Sequence, residues 1–179
     1  SSFDGLTVYL RVISTSVIAG FGARRLLSRM VDHLEQQISD AQTTADTAIS
    51  EAKENEERLD LLETNMKLLE AADNHSLPQS VRDEAIERGE RLISESRANP
   101  TTWIHLARVY RWNGDLHKAI ATLDKFISLT KNGKFLEKSL YPAYYNRGCY
   151  KALLYKSTKE ESYLAKCLND LSSALEACS

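Results

Sequence analysis

The chain has 179 residues, enough for one ordinary domain plus an extension or for two small domains, with Lys+Arg 23 against Asp+Glu 25 and a net charge of −2. That balance argues against any general pull towards nucleic acid, and 7 Gly with 3 Pro are too few for many strands joined by tight turns, so an all-α fold is predicted. Cys149, Cys167 and Cys178 are an odd set without a motif, which argues against a secreted disulfide framework and for a reduced, cytoplasm-facing setting.

The chain opens Ser-Ser, and its first 25 residues read as an apolar helix, a membrane span or the end of one. Residues 6–23, LTVYLRVISTSVIAGFGA, are apolar around most of the circumference, interrupted by Arg11 and followed by Arg24, Arg25 and Arg29. An apolar stretch ahead of a basic cluster resembles the cytoplasmic end of a membrane span. It falls short of the roughly 20 residues that a full crossing needs, and Arg11 is costly there unless it snorkels. Three readings stay open: a membrane anchor, a helix buried in an oligomer or on a partner, or a helix packed on the chain's own globular part.

Residues 26–73 predict one long coiled-coil stalk. Leu27, Val31, Leu34, Ile38, Ala41, Ala45, Ala48, Ala52, Asn55, Leu59, Leu62, Met66 and Leu69 follow an unbroken 4-3-4-3 spacing, and only Asn55 among them is polar. That period of 3.5 draws a narrow apolar seam suited to another helix, whether a second copy of this chain or a coiled-coil partner. The stretch contains no Gly or Pro to break it. The four alanines demand close approach and offer little apolar area, while Asn55 is the type of residue that sets register.

The Asp73-Asn74-His75-Ser76 cluster and Pro78 end the stalk, and a shorter helix is predicted over 80–97, closed by Asn99-Pro100. This shorter helix could be the second of a degenerate hairpin, but no convincing first helix precedes it. From Pro100 the chain reads NPTTWIHLARVYRWNGDLHKAIATLDKFISLTKNG, two amphipathic helices joined at Gly114-Asp115. The pattern resembles the tetratricopeptide repeat (TPR). Trp103 stands at the family's bulky aromatic, Leu106 at its leucine, Ala107 at the small crossing residue and Tyr110 at the aromatic one turn on. Gly114 is the turn glycine, Ala119 the small residue of the second helix and Leu123 its large apolar partner. Phe126 departs from the pattern, standing where the family prefers Ala.

A second, more divergent copy places Tyr144 at the aromatic and Gly148 at the crossing, with Cys167, Leu171, Ala174 and Leu175 on its second helix. Arg147 and Lys151 replace an expected leucine and aromatic, and Gly148 to Cys167 is about seven residues longer than the family's spacing, so extended helices or a longer turn are expected near 156–159. The resemblance covers roughly residues 100–178 and implies a TPR-like domain over 79–179 with a shared core of Trp103, Leu106, Tyr110, Leu123, Leu171 and Leu175.

No pattern of catalysis or metal ligation emerges. His33, His75, His105 and His117 have no ligand spacing, and Gly20-Phe21-Gly22 lacks the strand and lysine of a phosphate loop. No enzyme, cofactor or metal is therefore expected. The resemblance implies instead a groove lined by the first helix of each repeat: Ile104, Arg108, Arg111 and Trp112, with Tyr145, Asn146, Cys149 and Leu153. Arg and Trp are the types that dominate binding hot spots. The expectation is a non-catalytic adaptor or scaffold that oligomerises through its coiled coil and binds a protein partner through its repeats. The competing reading is a structural subunit of a large assembly, with the apolar helix and stalk buried against other subunits.

Overall fold

The computed structural model describes the backbone of residues 2–74 and 76–178, and the side chains of 23–74 and 76–178. Among these residues the chain is all α: α1 (Ser2–Asp73), α2 (Gln79–Ser94), α3 (Pro100–Trp112), α4 (Leu116–Lys131), a 3-10 turn (Glu137–Ser139), α5 (Leu140–Thr158) and α6 (Glu161–Cys178). The chain divides into two compact units, Ser1–Asn55 and Glu56–Ser179.

In the first unit the backbone is helical, and every side chain from Ala23 to Asn55 is exposed. Leu27, Val31, Leu34 and Ile38 all face solvent. Thr43, Thr44 and Thr47 donate their hydroxyls to carbonyls four residues back, which satisfies them without breaking the helix. The side chains of residues 6–22 lie outside the described residues, and with them the choice among membrane anchor, oligomer contact and packed helix.

The second unit holds a single core built from helix hairpins. Its first hairpin corrects two expectations. The helix beginning near residue 80 does have a partner, and that partner is the end of α1. Leu68, Ala71 and Ala72 are buried against Ala85, Gly89 and Leu92. A Cβ placed on Gly89 would meet Leu68 Cδ1 at 3.2 Å and Leu106 Cδ1 at 3.3 Å, so glycine permits the close approach. Lys67–Glu84, Arg88–Glu63 and Arg91–Asp60, each at 3.0 Å, align the pair at its rim. The hydrogen bond from Lys67 also holds the Glu84 carboxyl below the usual carboxylate range. Hence the compact unit starts at Glu56 rather than 79, and the last turns assigned to the stalk belong to it.

The end of α1 therefore carries two apolar faces. Leu61, Thr64 and Leu68 point into the core, while the seam residues Leu59, Leu62, Met66 and Leu69 remain exposed. A fragment covering 56–179 is expected to melt well above one covering 79–179. Losing the fully buried Leu68 alone removes about 1.5–3 kcal/mol of apolar burial, before the alanines are counted. Equal midpoints in thermal melts would show that this pairing contributes nothing.

Local signals start and stop the next helices. Asn99 caps α3 by accepting from the Thr102 N–H at 2.9 Å, the Thr102 hydroxyl accepts in return from the Asn99 N–H at 3.3 Å, and Pro100 sits in the first turn, where its missing N–H is harmless. The Thr102 hydroxyl also donates to Asn65 Oδ1 at 2.9 Å, tying α3 to α1. Asp115 caps α4 by accepting from the Lys118 N–H. Between the two helices Gly114 takes φ +81°, a left-handed conformation that glycine adopts without a Cβ clash.

Where α3 meets α4, Trp103, Leu106, Ala107, Tyr110, Ala119 and Leu123 are all buried. Phe126 is buried too, lying between Trp103 and Phe135 at centroid distances of 6.2 and 5.4 Å. In the last hairpin a Cβ on Gly148 would meet Leu171 at 3.3 Å, so α5 and α6 also cross closely. The extra length of this hairpin lies in both its helices, α5 running 19 residues against 13 in α3 and α6 running 18 against 16 in α4, and the turn at Lys159 stays short. Leu171 is half-buried, but Leu175 is 73% exposed and leaves the expected core. It falls on the outer face of α6, whose buried face is Cys167, Asp170 and Ala174.

Candidate functional site

The last turns of α3 and the middle of α5 enclose a groove of about 390 Å³, lined by Arg108, Arg111, Trp112, Asn146, Cys149, Tyr150, Ala152 and Leu153. Six of the eight expected groove residues meet here. Ile104 does not: it packs partly against the core. Tyr145 points elsewhere, stacking on Tyr141 at 6.3 Å, and its phenol is pushed up chiefly by the neighbouring Cys149 thiol.

The groove's electrostatics are set by two arginines with different surroundings. Arg108 bonds to the Asp73 carboxylate. The Arg111 guanidinium lies over the Trp112 ring, 3.8 Å from its centroid. Lining the same groove is Tyr150, 3% exposed, which sequence reasoning did not place there. Burial raises its phenol to about 12, against an opposing influence of Arg108 and Arg111. It therefore stays protonated and can donate. The only sequence signal for it is its place one residue past Cys149, at the spacing of the groove face.

The wall formed by α5 is held by charge. Arg147 and Lys151, the two departures from the repeat pattern, converge on Asp170 of α6, which is buried. Arg147 Nε donates to Asp170 Oδ2 at 2.9 Å, Lys151 Nζ donates to the same oxygen at 2.8 Å, and Arg147 Nη1 also reaches Asp124 of α4. The carboxylate thus substitutes for the apolar contact that a leucine and an aromatic would have made. It fixes the rotation of α5, and so places Asn146, Cys149, Tyr150 and Leu153 on the groove.

Beside the groove His105 is pushed down by burial and then by the Arg108 charge, so it is neutral near pH 7. Among the described residues, no group of His, Cys, Asp or Glu could hold a metal ion, and no helix is long and apolar enough to cross a membrane. The chemistry on offer is recognition: two cations, a phenol, an amide and an apolar wall of Trp112, Ala152 and Leu153. No protein-family model, curated protein or solved structure matches this chain.

Proposed function

We propose that the chain is a non-catalytic adaptor or scaffold of TPR type, which self-associates through the α1 seam and holds an acidic, carboxylate-bearing segment of a protein partner in the α3–α5 groove. The groove carries the reading: Arg108, Arg111 and Tyr150 offer donors to a carboxylate, while Trp112 and Leu153 offer an anchor site to a neighbouring apolar side chain. Support for the assembly half comes from the seam, whose large residues are exposed in both units although spaced for a helical partner. The apolar N-terminal segment adds a membrane anchor as one form of tethering on the cytoplasmic side.

Replacing Arg108 and Arg111 together by alanine is expected to weaken capture of the partner at least about tenfold, with helicity unchanged, because neither side chain is part of the buried core. The partner is first recovered by pull-down with the intact chain. Full recovery by the double variant would exclude the groove. For the seam, sedimentation of the intact chain is expected to show a dimer or larger species that Leu34→Lys with Ile38→Lys converts to monomer. A monomeric parent chain at high micromolar concentration would leave only a hetero-partner.

A further inference from the structure

Arg108 is already engaged from within the chain, by Asp73, the last residue of α1. That carboxylate is placed for exchange. It stands at a helix C-terminus, where the backbone dipole disfavours negative charge, and its side chain is 55% exposed, a setting in which an ion pair contributes little. Beyond it the chain leaves the helix through Asn74, whose side chain accepts from the Ser76 N–H at 3.1 Å. The buried anchors of α1 are the preceding Ala71 and Ala72, so turning the Asp73 side chain away disturbs no core contact.

Arg111 differs. Among the described residues no carboxylate lies within ion-pair distance of it, and its guanidinium rests on the Trp112 ring. The Tyr150 phenol, on a side chain more than nine-tenths buried that lines the same groove, has no hydrogen-bond partner among the described residues. Two donors thus face the groove unanswered beside a third that is answered from inside.

Resting on the groove as the seat of an acidic segment, we propose that Asp73 is a built-in competitor for that seat. An incoming carboxylate first takes Arg111 and Tyr150, and a second acidic group on the same segment gains Arg108 only by displacing Asp73. Affinity for acidic segments is therefore set by the charge at position 73. The segment that gains most from losing this competitor carries two acidic groups flanking an apolar side chain.

The test uses the full chain and a fluorescein-labelled peptide of alternating Glu and Leu, followed by fluorescence anisotropy. Asp73→Asn is expected to bind about tenfold more tightly than the parent, the scale of one charge-assisted contact. Glu87→Gln removes the same charge from the exposed face of α2 and is expected to change nothing. Tyr150→Phe is expected to weaken binding about fivefold in both the parent and the Asp73→Asn background. If the parent binds and Asp73→Asn binds no more tightly, the competitor is overturned while the groove reading stands. An equal gain from Glu87→Gln would reduce the effect to net charge and also overturn it. If neither the parent nor Asp73→Asn takes up the peptide, the groove reading falls and the competitor falls with it.

Discussion

Asp170→Ala is expected to destabilise the compact unit by about 3–5 kcal/mol, because removing one partner of a buried ion pair leaves the others uncompensated. Arg147 and Lys151 have side chains only 14% and 12% exposed, and both point at this carboxylate. Without it two positive charges face each other in a half-dry crossing, and Asp124 can answer only Arg147. The melting midpoint should fall by about 10 °C. The loss should couple to its partners. Asp170→Ala combined with Arg147→Leu and Lys151→Tyr, the apolar pair that α3 carries at Leu106 and Tyr110, should recover much of the stability, since apolar replacement of a buried charge cluster is often neutral or favourable. If Asp170→Ala alone leaves the midpoint unchanged, the cluster does not hold α5 in place.

Phe126→Ala should cost about 3–5 kcal/mol, the range for emptying a buried aromatic position. The repeat pattern prefers alanine at this point of the second helix, so by pattern alone the substitution ought to be harmless or stabilising. Packing says the opposite. Phe126 is 0% exposed and touches rings on both sides, Trp103 from α3 and Phe135 from the segment after α4. Truncation leaves a cavity that neither ring can fill without moving its own helix or loop. Urea unfolding of the intact chain, followed by circular dichroism, measures the difference. A midpoint equal to that of the parent would mean the corner repacks around alanine and that the family pattern, not this aromatic stack, governs the crossing.

Most of the helices were legible in the sequence because their signals are local. Scarce Gly and Pro, the Asn99-Pro100 start, the Gly114-Asp115 turn and the 3.6-residue periodicity of 100–131 act within a few residues, and α3 and α4 fall where they point. Trp103, Leu106, Tyr110 and Leu123 were legible as core for the same reason, each lying on the apolar stripe of its own helix. The groove was half legible. Helical spacing puts Arg108, Arg111 and Trp112 within one turn, but which α5 residues they face depends on how far α5 is rotated.

That rotation is a tertiary decision. It is made by Asp170, 19 residues beyond Lys151 and 23 beyond Arg147, a separation over which no local pattern operates. The same holds for the start of the compact unit. A period of 3.5 along α1 advertises one seam, yet Leu61, Thr64 and Leu68 form a second stripe on the same helix, and only the presence of α2 and α3 decides which stripe is buried. Sequence by itself determined where the chain is helical and which faces are apolar, because both depend on neighbours three or four residues away. Which apolar face finds a partner, and which charge finds Arg108, only the tertiary structure decided, because those contacts join residues that the chain brings together by folding.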